Sequence, residues 1–267
     1  MNNFLEIFSY GFMLRALVAG VLIALSAGLI GVPLVLKRNA MIGDGLSHVG
    51  FAAIALATAV GLAPLEFALP VVIIVSFLII KLNENKKING DAAIALVSAS
   101  ALAIGVFLIS VFGVNVDINS YLFGSILAVS EGEMILSIIL SILMIMFYII
   151  FYNRIFVTTF DNDFAKAVGV KTKYYEMIFA ALCSTVVVIG MKIAGALLIS
   201  SLIIFPVLTA RNIAKSFWKV SVFSGIFAVI GFLIGLIVSY VFSVPTGATI
   251  VITNLLILVI VKLLYNK

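Results

Sequence analysis

The sequence predicts an all-α, polytopic transmembrane helical bundle of about nine spans. Three observations carry that reading. Of 267 residues, 64% are hydrophobic and 10% charged, where a soluble domain carries about 25% charged residues, and the mean hydropathy is +1.35. Apolar runs near the roughly 20 residues that a spanning helix needs recur along the whole chain. Finally, the basic residues fall almost entirely on alternate loops between those runs.

In order, the runs are Phe12 to Leu36, Met41 to Leu62, Leu65 to Leu82, Ala92 to Gly113, Met134 to Tyr152, Tyr174 to Gly190, Ala194 to Ala210, Val220 to Phe242 and Thr246 to Leu264. The first closes on Lys37 and Arg38, the third on Lys81 with Lys86 and Lys87 beyond it, and the fifth on Arg154. Lys166, Lys171 and Lys173 precede the sixth; Arg211, Lys215 and Lys219 separate the seventh from the eighth; Lys262 and Lys267 end the ninth. If the spans alternate, fourteen basic residues stand on one side and two, Arg15 and Lys192, on the other. Loops rich in Lys and Arg stay cytoplasmic, which places the N-terminus outside and the C-terminus in the cytoplasm and requires an odd number of crossings.

Two regions carry alternatives. Only Met191, Lys192 and Ile193 separate the sixth and seventh runs, so one long broken element is the other reading there. Residues 114–129 are too polar at their start to span, and read as an external loop leading into a short re-entrant or interfacial helix. Asp117, Glu131 and Glu133 beside it read either as an acidic outer rim that favours an incoming cation or as ordinary solvated loop charges. No linker, heptad run or low-complexity tract interrupts the pattern, so residues 1–267 read as a single transmembrane domain of a multi-pass cell-membrane protein. The opening string "MNNFLEIFSYGF" has no basic n-region or small-residue cleavage site, so the first span is expected to be retained.

Several functions are disfavoured. The net charge of +5 follows from topology, and its spread over five loops lacks the clustered footprint of nucleic-acid binding. There is no G-x-x-x-x-G-K-[ST] phosphate loop, so the chain does not supply ATP hydrolysis by that route. With one His and no H-E-x-x-H, a zinc protease is disfavoured as well. No catalytic dyad or triad stands out, and the chain is not read as an enzyme. Cys183 stands alone in an apolar span and reads as a small core residue.

The string "MIGDGLSHVG", residues 41–50, sets Asp44 and the sole His, His48, four positions apart. On a helix these positions share one face, with Ser47 adjacent. Gly43, Gly45, Gly50 and the alanines after them are the small residues that let transmembrane helices approach closely, so this span is expected to pack inside protein. An ionisable residue at membrane depth is by default a functional-site hypothesis. The alternative is a structural Asp–His hydrogen bond near the cytoplasmic interface, because Asp44 comes soon after Lys37 and Arg38. A carboxylate and a neutral imidazole suit zinc or manganese, and a symmetric dimer would bring two Asp and two His together. A proton relay is the other chemistry open to this pair.

The string "TFDNDFAKAVGVKTK", residues 159–173, lies in the longest cytoplasmic loop. Asp161 or Asn162 can cap a short helix there, Phe160, Phe164 and Val168 form an apolar stripe, and Gly169 can end it. The helix either docks into a groove on a partner or lies on the membrane surface.

The strings "MIGDGLSHVGFAAIALA", "NSYLFGSILAVS", "FDNDFAKAVGV" and "GALLISSLIIFPVLTAR" resemble the integral-membrane permease of zinc/manganese-type ABC metal importers, in order from about Val35 to Ile252. The resemblance implies a homodimer in the lipid bilayer, two cytoplasmic ATPase subunits that bind the ATP, and an extracellular solute-binding protein that delivers the ion. It implies that Asp44, Ser47 and His48 lie on the translocation path, Asp44 and His48 as metal ligands. It also implies that Phe160, Asp161, Asp163, Phe164, Ala165 and Gly169 belong to an ATPase-coupling helix, with Ala165 on the face entering the ATPase groove. Asp163 and Phe164 depart from the E-A-A-x-x-x-G form of other ABC importers. Zinc is the expected cargo, since paired Asp44 and His48 give the two oxygen and two nitrogen groups that zinc accepts in tetrahedral geometry, and the wording of residues 41–65 is similar to zinc members. Manganese is the alternative, and a proton-coupled carrier or an assembly subunit are the readings from other classes.

The charge split generates a prediction. Single cysteines at Asn162 and Ser216 should react with an impermeant thiol reagent from the cytoplasmic side only; labelling of either in intact cells would overturn the alternating assignment.

Overall fold

The computed structural model describes residues 11–84, 90–113, 124 and 129–265. Asp117, with most of the expected outer loop, lies outside the described residues, as does the opening string before Gly11. Eleven helices are described: α1 (Gly11–Leu36), α2 (Ile42–Ala59), α3 (Pro64–Glu84), α4 (Gly90–Phe112), α5 (Glu131–Ile150), α6 (Tyr152–Phe160), α7 (Asn162–Ala167), α8 (Thr172–Ala194), α9 (Ala196–Ile213), α10 (Phe217–Phe242) and α11 (Thr246–Tyr265). There is no strand among the described residues. Without water in hydrocarbon, a spanning segment must satisfy its backbone internally, and helices do so. Eight of the helices are long and apolar enough to cross a membrane, and the apolar part of α9, Leu198–Ile213, is shorter. The architecture is the expected polytopic helical bundle.

The sixth and seventh runs form two helices, not one long broken element, and the break between them is not where the basic residue suggested. Met191, Lys192 and Ile193 lie inside α8. The interruption is Gly195 alone, at φ 91° and ψ 154°, a backbone region that is essentially glycine's own. Beyond it the chain turns back: Ile199 Cδ1 would stand 2.4 Å from a Cβ at Gly190, whereas a continuous helix would carry residue 199 about 13 Å further along the axis.

The chain divides into two compact units. One comprises Met1–Val32, Asn119–Ile150 and Ile189–Lys267. In it, α1 and α10 pack antiparallel through small residues: a Cβ at Gly20 would meet the Phe232 ring, and one at Gly28 would lie 2.9 Å from Ala228 Cβ. Ser224 Oγ donates to the Gly28 carbonyl at 2.7 Å. The spacing of Gly231 and Gly235 lets α11 approach α10, with Asn254 seated against the first and Ile250 against the second. α10 ends on Ser243 in the left-handed conformation, and Ser239 Oγ closes the turn on the Val244 carbonyl at 2.7 Å.

The same unit revises the acidic rim. Glu131 pairs with Arg15 at 3.3 Å, and Glu133 with Lys192. Ser130 and Glu133 also cap α5 reciprocally: Glu133 Oε2 accepts from Ser130 N at 2.9 Å and Ser130 Oγ from Glu133 N at 3.3 Å, the S-x-x-E box. Each acid thus neutralises one of the two basic residues that the charge split left over.

The other unit comprises Pro33–Ile118 and Phe151–Val188. Its centre is α2, eleven of whose 18 residues are buried, as its run of glycine and alanine implied. It packs parallel to α4: a Cβ at Gly45 would stand 2.9 Å from Ile94 Cγ2, and one at Gly105 would stand 3.2 Å from Ala52 Cα. Parallel neighbours need a return crossing between them, which α3 provides.

Two glycines separate packing from propensity. A Cβ at Gly31 would stand 2.1 Å from the Ile203 carbonyl oxygen, while one at Gly132 meets nothing within 4 Å. Gly31→Ala should destabilise by about 1–3 kcal/mol through overpacking, and Gly132→Ala should be neutral or stabilise by up to about 1 kcal/mol through helix propensity. Unfolding in detergent measures both.

Candidate metal centre

The sequence places Asp44 by way of the joint between α1 and α2. α1 ends in a Schellman motif: Arg38 takes φ 61°, its N–H donates to the Val35 carbonyl at 3.2 Å, and Asn39 N–H donates to the Leu34 carbonyl at 2.8 Å. The left-handed position would favour glycine, and here it is held by Arg38. Asn39 then accepts from Ile42 N–H at 3.1 Å, and α2 begins at once. Asp44 falls in the first turn of α2, where the unpaired N–H groups and the helix dipole favour a carboxylate.

His48 lies one turn on. Its Nε2 is 3.6 Å from Asp44 Oδ2, with side chains 20% and 32% exposed respectively. That is beyond hydrogen-bond length. Two donors at about 2.0–2.2 Å from one ion in tetrahedral geometry stand about 3.3–3.6 Å apart, so the pair can ligate a single cation with little adjustment. Among the described residues no group of three or more His, Cys, Asp and Glu is placed to hold a metal. Among the described residues the pair offers two side-chain donors, and further ligands are needed to complete a coordination sphere.

Ser47 lies on the buried side of α2. Its side chain is wholly buried and its Oγ donates to the Asp44 carbonyl at 2.7 Å, so it braces the turn that carries Asp44.

The expected surface helix is present and shorter than its string. Phe160 ends α6, and α7 spans Asn162–Ala167. Asp161 is the cap, its Oδ1 accepting from Phe164 N at 2.8 Å. Gly169 at φ 81° closes the helix, with Gly169 N–H on the Lys166 carbonyl at 3.0 Å and Val170 N–H on the Ala165 carbonyl at 2.9 Å, a second Schellman motif. Asp163 pairs with Lys166 at 3.6 Å, an exposed pair that stabilises little. Phe160, Phe164 and Val168 are more than half exposed, whereas Ala165 is 0% exposed. The outward face is thus the phenylalanine and valine stripe, and Ala165 anchors α7 from beneath.

One acid escaped the sequence reading. Glu176 Oε1 accepts from Lys37 Nζ at 3.0 Å and from Asn162 Nδ2 at 3.5 Å. The available signal was an acidic residue just inside α8, in a segment otherwise bounded by Lys171 and Lys173.

Residues 9–265 match the ABC 3 transport family. The chain belongs to the ABC 3 transport family. Among its relatives, the manganese import system permease protein ScaB of Streptococcus gordonii is 32% identical over 251 residues, covering 94% of this chain and 90% of that protein. The manganese transport system membrane protein MntC of Listeria monocytogenes is 29% identical and covers 99% of this chain and 95% of its own. Among solved structures, PsaBC from Streptococcus pneumoniae in complex with Fab superposes with a TM-score of 0.87 at 29% identity, covering 98% of this chain and 95% of that one. Family and helices together make this ABC 3 member a multi-pass protein of the cell membrane.

The burial contrast within α7 gives a direct check. Ala165→Asp would bury an unpaired charge and should destabilise by about 3 kcal/mol or more, whereas Phe164→Asp adds a solvated one and should leave unfolding in detergent almost unchanged.

Proposed function

We propose that this chain is the permease subunit of an ATP-driven importer that carries a divalent metal ion, manganese first, across the cell membrane as a homodimer. The observation that carries the reading is the Asp44–His48 pair, 3.6 Å apart on the buried helix α2. Asp44 offsets part of the cation's desolvation, and His48 contributes one neutral nitrogen. With two side-chain donors among the described residues of each chain, the ion is held loosely enough to leave, as transport requires.

The order of the metals is reversed from the one that the ligand types alone favoured. ScaB and MntC are both named as manganese proteins, and manganese accepts carboxylate, carbonyl and water ligands readily, which a site short of side-chain donors must recruit. Zinc is the second reading, supported by the tetrahedral compatibility of the 3.6 Å separation. The partners in this reading are two ATPase subunits, docked on the Phe160, Phe164 and Val168 stripe, and an extracellular binding protein. The orientation is the one that the basic loops favour, with α7 in the cytoplasm.

The test is uptake of radioactive manganese and zinc by the complete complex in vesicles, with and without ATP. Manganese should enter only with ATP, and His48→Ala and Asp44→Asn should each reduce uptake by more than the about 10–100-fold typical of outer-shell changes. Undiminished flux in His48→Ala would remove the pair from the mechanism, zinc flux without manganese flux would restore zinc, and ATP-independent uptake by the chain alone would favour a secondary carrier.

A further inference from the structure

Glu176 occupies a position that the transport reading does not assign. It sits in the first turns of α8 and makes two contacts through one oxygen, reaching Lys37 at the end of α1 and Asn162 at the start of α7. Lys37 and Glu176 are 25% and 24% exposed, sheltered enough that the pair is not a freely solvated one. The two contacts differ in kind. The Lys37 bond at 3.0 Å is charged at both ends, while the Asn162 contact at 3.5 Å lies at the outer limit of a hydrogen bond, so a small shift of α7 tightens or breaks it.

The chain beyond Lys37 is stiff. Asp44 lies seven positions after Lys37, and this stretch has little slack: Arg38 and Asn39 donate backbone hydrogen bonds back to Val35 and Leu34 in the last turn of α1, Ile42 donates to Asn39, and Gly45 donates to Met41. Arg38 adds a left-handed residue that non-glycine side chains resist. Lys37 thus joins Glu176 to a hydrogen-bonded backbone segment that runs directly into the first turn of α2.

We infer that Glu176 is a positioning residue that couples the α7 surface to the Asp44–His48 pair, holding Asn162 on one side and Lys37 on the other. The inference rests on the proposed docking of an ATPase at α7. Movement of the docked helix alters the Asn162 contact, the carboxylate redistributes between its two donors, and the joint before Asp44 responds. A carboxylate is needed because a neutral acceptor could still hold Asn162 but would lose the charge that strengthens the bond to the Lys37 ammonium. Its role is in how ATP hydrolysis is converted into metal movement, and not in binding the metal or the ATPase.

The experiment uses the complete complex in vesicles and reads manganese moved per ATP hydrolysed. Four variants are compared with the parent: Glu176→Gln, Lys37→Gln, the double neutral variant carrying both, and the reversed pair Lys37→Glu with Glu176→Lys. Each single variant should keep its ATPase subunits and hydrolyse ATP within about twofold of the parent, yet move about tenfold less metal per ATP, inside the 5–150-fold range of ordinary couplings. Because the two residues act as one unit, the double neutral variant should be no worse than either single, and the reversed pair, which leaves no acceptor at position 176 for Asn162, should stay as low as the singles. A parental ratio in both singles, or additive losses in the double neutral variant, would overturn the inference. So would losses matched by dissociation of the ATPase, which would mark a merely structural role. Failure of the docking reading is separately visible: Phe164→Asp would then leave ATPase association and uptake intact whatever Glu176 does.

Discussion

Lipid tails are as apolar as the side chains they surround, so transmembrane helices gain little by hiding leucine from them and must gain by close contact instead. Close contact demands small residues, and this chain places its glycines accordingly. Gly31 faces the Ile203 backbone, Gly105 faces Ala52, and Gly231 and Gly235 receive Asn254 and Ile250. The same device fixes the candidate site. Gly45 brings α2 against α4 between Asp44 and Ser47, and the buried face of α2 leaves Asp44 and His48 as its partly accessible polar pair.

Charge is arranged with the same economy. Arg15 and Lys192 meet Glu131 and Glu133, and Lys37 meets Glu176. Each pair joins residues more than 50 positions apart in sequence. These pairs therefore tie helices that the chain itself does not join, and each puts an acid where a positive charge would otherwise stand alone beside an apolar span.

Much of the fold was legible because hydropathy, helix length and bilayer thickness are coupled: the apolar runs became helices, and the short cap-to-glycine pattern around Asp161 and Gly169 became α7. The errors have a common physical origin, in that a linear reading sees a residue's type and not its partner. Lys192 suggested a loop because a lone ammonium avoids hydrocarbon, yet with Glu133 beside it the helix continues and breaks later, at Gly195. Glu131 and Glu133 suggested a rim for the same reason, although Ser130 three residues before Glu133 is itself a capping signature. Within the site, the one-turn spacing of Asp44 and His48 was legible. The inward turn of Ser47 and Ala165 was not, since small residues fit either face of a helix. The contribution of Glu176 depends on a contact across 139 positions, which no local pattern reports.

The joint at Gly195 has a consequence for how this family can vary. A one-residue connection at φ 91° contains no loop in which length can change. Lengthening it by a single helical residue would rotate α9 by about 100° about its axis, carrying the fully buried Leu198, Ile199 and Leu202 off the face they now occupy. Insertions and deletions should therefore be absent from this corner of the molecule across its natural variants, even where the sequences on either side have drifted, and an alignment that opens a gap there is misaligned.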